Sequence, residues 1–279
     1  MIDQSGQQSA LALLKWYLDA GVDETIGNEP VDRFQTIKPP IKKETRRAES
    51  AAAAAAPQQD QIHKPSPKRP DAIPLETADA TTQGAREMAA GCSSLQELRS
   101  ALEGFEACAL KKTAMNLVFS DGNPDADLML IGEAPGADED RLGLPFVGQS
   151  GKLLDKMLAA IGLDRSNVYI SNILPWRPPG NRKPTTLETE LCLPFIKRHI
   201  ELAGPKVLVL LGGTAAPTLL ETTEGITRIR GKWRTYKMGE REAPALPTFH
   251  PAYLLRQPAH KAYGWRDFLA VKNRLKLSG

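Results

Sequence analysis

The side chains best suited to handling charge sit where apolar runs stop. Leu128, Met129, Leu130 and Ile131 end at Gly132, and the next residues, Glu133, Ala134, Pro135 and Gly136, make a tight turn with a single carboxylate, followed by the acidic run Asp138, Glu139 and Asp140. A second apolar run, residues 168–173, carries Asn172 near its end. A third delivers His250 within Thr248-Phe249-His250-Pro251-Ala252, where the proline fixes the backbone beside the imidazole. A neutral imidazole held rigidly is a good hydrogen-bond donor to an oxygen that gains negative charge. Leu254, Leu255 and Arg256 follow. A leucine pair is ordinarily core; in an exposed loop it becomes an apolar wedge beside a phosphate-binding arginine, a device that fills the gap left by an extruded base.

These residues can cooperate only if the fold gathers them. Short buried strands are expected at residues 128–131, 168–173, 206–211 and 246–249. Between them, residues 152–161, 186–201 and a segment from about 214 show helical spacing, a basic hairpin-like stretch holds Arg228, Arg230, Lys232 and Arg234, and residues 258–275 form a closing helix. Strands alternating with helical crossovers describe a parallel, doubly wound α/β sheet. In such a sheet the carboxyl ends of the strands lie along one edge, which brings Glu133, Asn172, Gly213 and His250 together although they are far apart in sequence.

The remaining chain is read by composition. The 279 residues carry a net charge of +3, compatible with a nucleic-acid partner without requiring one. No apolar run reaches membrane-span length, and the first residues lack a secretory pattern, so no membrane association and a cytoplasmic protein are expected. Cys92, Cys108 and Cys192 are widely spaced, which fits a reducing compartment better than a disulfide framework. Residues 1–26 hold an amphipathic helix with Leu11, Leu14 and Leu18 on one face, needing either the main domain or a protein partner to cover it. Residues 27–85, rich in proline, alanine and lysine, read as a disordered tether, either a solvated linker or a basic arm that adds phosphate contacts. The globular domain is expected over residues 86–279, beginning with a helix at 94–103.

From about Cys108 onward the sequence resembles the uracil-DNA glycosylases, most closely their iron-sulfur, thermophile-type branch (family 4). The resemblance is carried by Asn123-Pro124-Asp125-Ala126-Asp127, Gly132-Glu133-Ala134-Pro135-Gly136, Pro145-Phe146-Val147-Gly148, Asn172, Arg177-Pro178-Pro179-Gly180-Asn181-Arg182 and His250-Pro251-Ala252. It implies a three-layer α/β/α fold around a central four-stranded parallel twisted sheet, and hydrolysis of the N-glycosidic bond of uracil flipped out of DNA, the first step of base excision repair. It also implies roles. Gly132, Ala134, Pro135 and Gly136 line the uracil pocket, Phe146 stacks on the base, and Asn172 pairs with the uracil amide edge. His250 stabilises the departing uracil anion, while Glu133 stabilises the sugar cation or positions water. Arg177, Asn181, Arg182 and Arg256 contact DNA, and Leu254 or Leu255 enters the helix.

The sequence departs from this pattern in places. Better-known relatives carry a water-activating Asp where Ala134 stands, which leaves Asp138 and Asp140 as second choices after Glu133. Gly136 replaces an aromatic that excludes the thymine methyl elsewhere, so that discrimination falls to other residues, Glu133 among them. The positions matching the four cluster cysteines are Phe105, Cys108, Trp176 and Cys192, so two ligands are absent and no iron-sulfur cluster is expected; Phe105 and Trp176 fill the space by apolar packing. A monomer acting on uracil-containing DNA is the expected form. The alternatives are a relative that binds or covalently traps uracil-DNA with little turnover, and a nucleotide-binding adaptor whose N-terminal helix is the working part.

Overall fold

The computed structural model describes residues 75–276, which lie within the compact unit Pro67–Gly279. The amphipathic helix of residues 1–26 and most of the tether lie outside the described residues. The described chain opens with helix α1 (Leu75–Ala90), inside the segment expected to be a tether and before the expected domain start at Arg86. The reason it escapes a periodicity reading is its contact surface. Ala85 and Ala89, one turn apart and both buried, let α1 lie against another helix without a row of large apolar residues. Helix α2 (Leu95–Gly104) follows, started by Ser94, whose hydroxyl accepts from the Glu97 N–H at 3.1 Å.

The sheet is mixed and six-stranded: β1 (Asp121–Gly122), β2 (Leu128–Gly132), β3 (Tyr169–Asn172), β4 (Val207–Leu211), β5 (Arg234–Met238) and β6 (Arg241–Thr248), in the order β1-β3-β2-β4-β6-β5. The central strands β3, β2, β4 and β6 run parallel, with Gly132 opposite Asn172 and Leu211 opposite Thr248. These are the four strands the sequence predicts. The outer strands are antiparallel additions: β1 pairs with β3, and β5 forms a hairpin with β6; of the basic stretch expected to be hairpin-like only Arg234 enters it, Arg228 lying in a short helix (Ile226–Ile229). Edge strands face solvent on one side and therefore give a weak apolar signal; β5 alternates exposed residues with buried Tyr236 and Met238.

Alternate residues of the central strands point to opposite faces. Met129, Ile131, Leu208 and Leu210 pack with α1, α2, α5 (Thr186–Ala203) and α6 (Gly212–Leu219). Leu128, Leu130, Val207, Val209 and Leu211 pack with Leu154 and Leu158 of α4 (Gln149–Ala159) and with Phe268 and Val271 of α9 (Lys261–Lys276). Both faces are thus covered, which is why the strands read as continuous apolar runs. Three short helices complete the described chain: α3 (Ala137–Leu142), α7 (Ile226–Ile229) and α8 (Pro251–Arg256). Among the described residues no helix is long and apolar enough to cross a membrane.

Candidate active site

The chain passes from β2 to β3 on one side and then back across β2 to β4 on the other. That reversal opens a crevice at the carboxyl ends of the strands, the place where open α/β sheets receive ligands. A cleft of about 620 Å³ lies there, and Glu133, Asn172, Gly213 and His250 all line it. Each comes from the end of a different central strand, so the expected convergence is the observed one. Ala134, Pro135, Gly136, Phe146, Asn181, Arg182 and Arg256 also line the cleft.

Gly132 lies under the floor. A Cβ there would stand 2.6 Å from the Phe146 ring and would also strike the Asn172 carboxamide, so only glycine lets both side chains close over the strand end. Asn172 is 5 % exposed, and its Oδ1 is the one buried side-chain oxygen or nitrogen without a hydrogen-bond partner among the described residues. Leaving a buried acceptor unpaired costs about 1–3 kcal/mol, which marks it as a place reserved for an incoming donor.

The Phe146 ring lies 5.4 Å from the His250 ring at an interplanar angle of 29°. His250 caps α8: its Nδ1 accepts the Ala252 N–H at 3.1 Å, with Pro251 in the first helical position. Burial, assisted by the positive charge of Arg256, pushes its pKa down to about 4, so the ring is neutral at physiological pH. With Nδ1 occupied as an acceptor, the proton of a neutral imidazole sits on Nε2 as a donor.

Two carboxylates line the cleft, and the structure separates their tasks. Glu139 is buried and accepts the N–H groups of Gly136, Val147 and Gly148 at 3.0, 3.0 and 2.9 Å. It ties the Gly132–Gly136 turn to the Phe146 segment and has its acceptor capacity committed. Glu133 is partly exposed, and its carboxylate forms no hydrogen bond or ion pair with the described residues. The second choices for a base fail on position. Asp140 is 3 % exposed and accepts the Met115 and Asn116 N–H groups at 2.8 and 3.2 Å, while Asp138 is exposed beside Arg141; neither lines the cleft. The acidic run that follows the turn is helical. It forms α3; Gly136 at its start has no capping side chain, and the one local signal is Glu139 three residues on, whose carboxylate accepts the Gly136 N–H.

The expected DNA-contacting residues divide. Leu254 is 1 % exposed, its side chain reaching toward Gly264, and so cannot be the wedge; Leu255 is 42 % exposed. Adjacent positions of a helix point about 100° apart, and only the phase of α8 distinguishes the two leucines. Arg177 donates to Asn181 at 2.8 Å, and Arg182 forks onto Glu188 at 2.8 and 2.6 Å, anchoring the proline-rich loop to the start of α5. Ser150, Lys183, Thr214, Thr227 and Tyr253 line the cleft as well and have no counterpart in the sequence reading.

Phe105, Cys108, Trp176 and Cys192 are 5, 0, 2 and 0 % exposed and belong to one apolar cluster. The Phe105 ring packs on Phe195 at 5.0 Å. The neighbouring Cys108 thiol and burial hold the Cys192 thiol well above the ordinary pKa. A four-thiolate cluster does not fit the residues present: two thiols are buried there, and Phe105 and Trp176, at the positions the resemblance matches to the other two ligands, offer no metal-binding atom. Among the described residues no group of three metal-ligating side chains gathers.

A three-layer α/β fold with a cleft at the sheet's reversal point, floored by a phenylalanine and an unpaired carboxamide, defines a class of small-ligand sites. The family model described as the uracil DNA glycosylase superfamily matches residues 119–269, and the chain belongs to that superfamily. The chain is 42 % identical to the Type-4 uracil-DNA glycosylase of Archaeoglobus fulgidus over 183 residues, 64 % of this chain and 92 % of the relative. It is 37 % identical to the Type-4 uracil-DNA glycosylase of Sulfurisphaera tokodaii over 184 residues (64 % and 84 %), and 40 % to that of Thermotoga maritima over 156 residues (56 % and 80 %).

Proposed function

We propose that this chain is a uracil-DNA glycosylase that extrudes uracil from DNA into the cleft and hydrolyses its N-glycosidic bond, leaving an abasic site. The observation that carries this reading is the unpaired, buried Oδ1 of Asn172 beside the Phe146 ring. Uracil presents an N–H donor next to a carbonyl acceptor, which a carboxamide matches with its oxygen and its amide group. Phe146 offers the extruded ring a face on which to stack.

Bond cleavage sends the glycosidic electron pair to uracil N1, with negative charge spreading to the adjacent carbonyl oxygens, and leaves positive charge on the sugar. The Nε2–H of neutral His250 faces the first charge as a donor. Glu133, the cleft carboxylate left uncommitted, faces the second or orients the water that adds to the sugar carbon. No side-chain oxygen stands at Ala134, which supports Glu133 over its neighbours for this task. Leu255, exposed beside Arg256, fits the wedge that occupies the vacated stack. We read the enzyme as a monomer.

We further assign the enzyme no iron-sulfur cluster, with the packed Phe105 and Trp176 rings serving as scaffold in its place. Protein purified without oxygen should hold no stoichiometric iron and no broad visible absorption. For the activity, a uracil-containing oligonucleotide incubated with the protein and then treated with alkali should break at the uracil. A slow covalent band would instead indicate a trapping relative, and neither product would indicate an adaptor.

A further inference from the structure

Phe146 adopts φ = 55°, in the left-handed region that a bulky residue rarely occupies. Such a backbone persists only where its surroundings hold it, and the holding groups lie outside the cleft. Arg165, between α4 and β3, donates to the Pro145 carbonyl at 3.1 Å and to the Phe146 carbonyl. The same guanidinium pairs with Asp121 of β1 and, through Nε, with Asp155 of α4 at 2.9 Å. Helix α4 also packs closely on the Phe146 carbonyl, where a Cβ on Gly151 would overlap the oxygen. The carbonyl of the strained residue is therefore held by both a helix turn and a guanidinium that two carboxylates hold in place.

We propose that Arg165 is a positioning residue for the base-stacking ring, setting the orientation of Phe146 and through it the capture of the extruded pyrimidine. It does not line the cleft, so any influence on the base passes through the backbone it bonds. A planar fork with five donors can serve two carbonyls and two carboxylates at once, which a lysine ammonium cannot. The proposal rests on the assignment of Phe146 as the stacking platform.

The test uses the full chain and an oligonucleotide carrying 2′-fluoro-2′-deoxyuridine, a uridine resistant to hydrolysis, next to 2-aminopurine, whose emission rises when its neighbour leaves the stack. Loss of charge-assisted bonds to the two carbonyls predicts that Arg165→Met weakens this extruded complex, and slows single-turnover cleavage of ordinary uracil-DNA, by about ten- to a hundredfold. Arg165→Lys, which keeps the charge and spares the fold, should show the same direction of change, so a failure of Arg165→Met to fold leaves the test standing. In a Phe146→Ala background, Arg165→Met should add less than twofold. Wild-type-like extrusion in Arg165→Lys, or a full additional loss on top of Phe146→Ala, overturns the proposal. A Phe146→Ala protein that extrudes and cleaves normally would instead remove the platform assignment and the proposal with it.

Discussion

The cleft and the Cys108–Cys192 region lie in one domain, and they treat their polar groups in opposite ways. In the cleft, Asn172 keeps a buried oxygen unpaired, Glu133 keeps a free carboxylate, and Phe146 holds a strained backbone. Around the cysteines the positions are sealed: both free thiols are buried, and Phe105 and Trp176 are buried in the same apolar cluster. A site that must receive a ligand stores unsatisfied groups and space, at a cost to stability; a scaffold satisfies its groups and closes its space. On the proposal that no cluster is bound, the cysteine region is supported by packing alone, and the chemistry of the cleft does not depend on a metal there.

Replacing a cleft residue should strike activity and leave stability nearly intact. His250→Ala is expected to lower single-turnover uracil release by about 10²–10³, the scale on which removal of one charge-stabilising donor acts. Because His250 also caps α8, His250→Asn is the sharper variant. Asparagine is a good N-cap, so a loss that persists in it belongs to the chemistry rather than to the helix start. Turnover within threefold of wild type in both variants would remove His250 from the reaction.

Replacing a scaffold residue should do the reverse. Trp176→Ala is expected to destabilise the domain by about 3–5 kcal/mol, the usual consequence of emptying a large buried aromatic. The turnover of the folded fraction should be unchanged. Denaturant melts read the first and active-site titration the second; a variant stable but inactive would show that the two regions are coupled.

How much of this division the sequence displays depends on how local each signal is. The central strands are legible because both faces are covered and apolar runs end where the turn begins, as at Ile131-Gly132-Glu133. From that topology alone the meeting of Glu133, Asn172 and His250 follows. Glu139 and Arg165 are not legible in the same way, since each acts on backbone groups brought near by folding, and a carboxylate or guanidinium carries no mark of which amides or carbonyls it will meet. Helix α1 hides because Ala85 and Ala89 do its packing. Leu254 and Leu255 are chemically the same residue, and only the helix phase places one in the core and one at the surface.

Proton uptake distinguishes the regions more gently. Burial pushes His199, which bonds the Tyr169 hydroxyl at 2.8 Å outside the cleft, down to about 3, as burial and Arg256 push His250 down to about 4. Both folded values lie below the unfolded value near 6.5. The stability they contribute is fully present above that pH and is lost as pH falls toward the folded values, at roughly 1.4 kcal/mol per unit for each group while the unfolded form alone is protonated. Of the two histidines, only His250 must be neutral for activity. The titration of His250 should therefore leave kcat/KM steady down to about pH 5, even as melting temperatures decline, and a break in the rate near the ordinary histidine value would contradict its lowered pKa.

The smallest effect is expected at the thiols themselves. In a packed apolar core a cysteine behaves as a small hydrophobe, and Cys108→Ala or Cys192→Ala removes little volume. Each change should cost about 1 kcal/mol and lower Tm by about 2–4 °C, with uracil release unaltered. If the thiols instead anchored a metal on which the fold depended, either replacement would remove that support, and the domain would lose far more than a methyl-sized contact. A full collapse of the folded state in Cys192→Ala, accompanied by loss of bound iron from the parent protein, would place the cysteine region back among metal sites. A shift of a few degrees with full activity leaves it as ordinary core, whose support comes from Phe105, Trp176 and Phe195 rather than from sulfur.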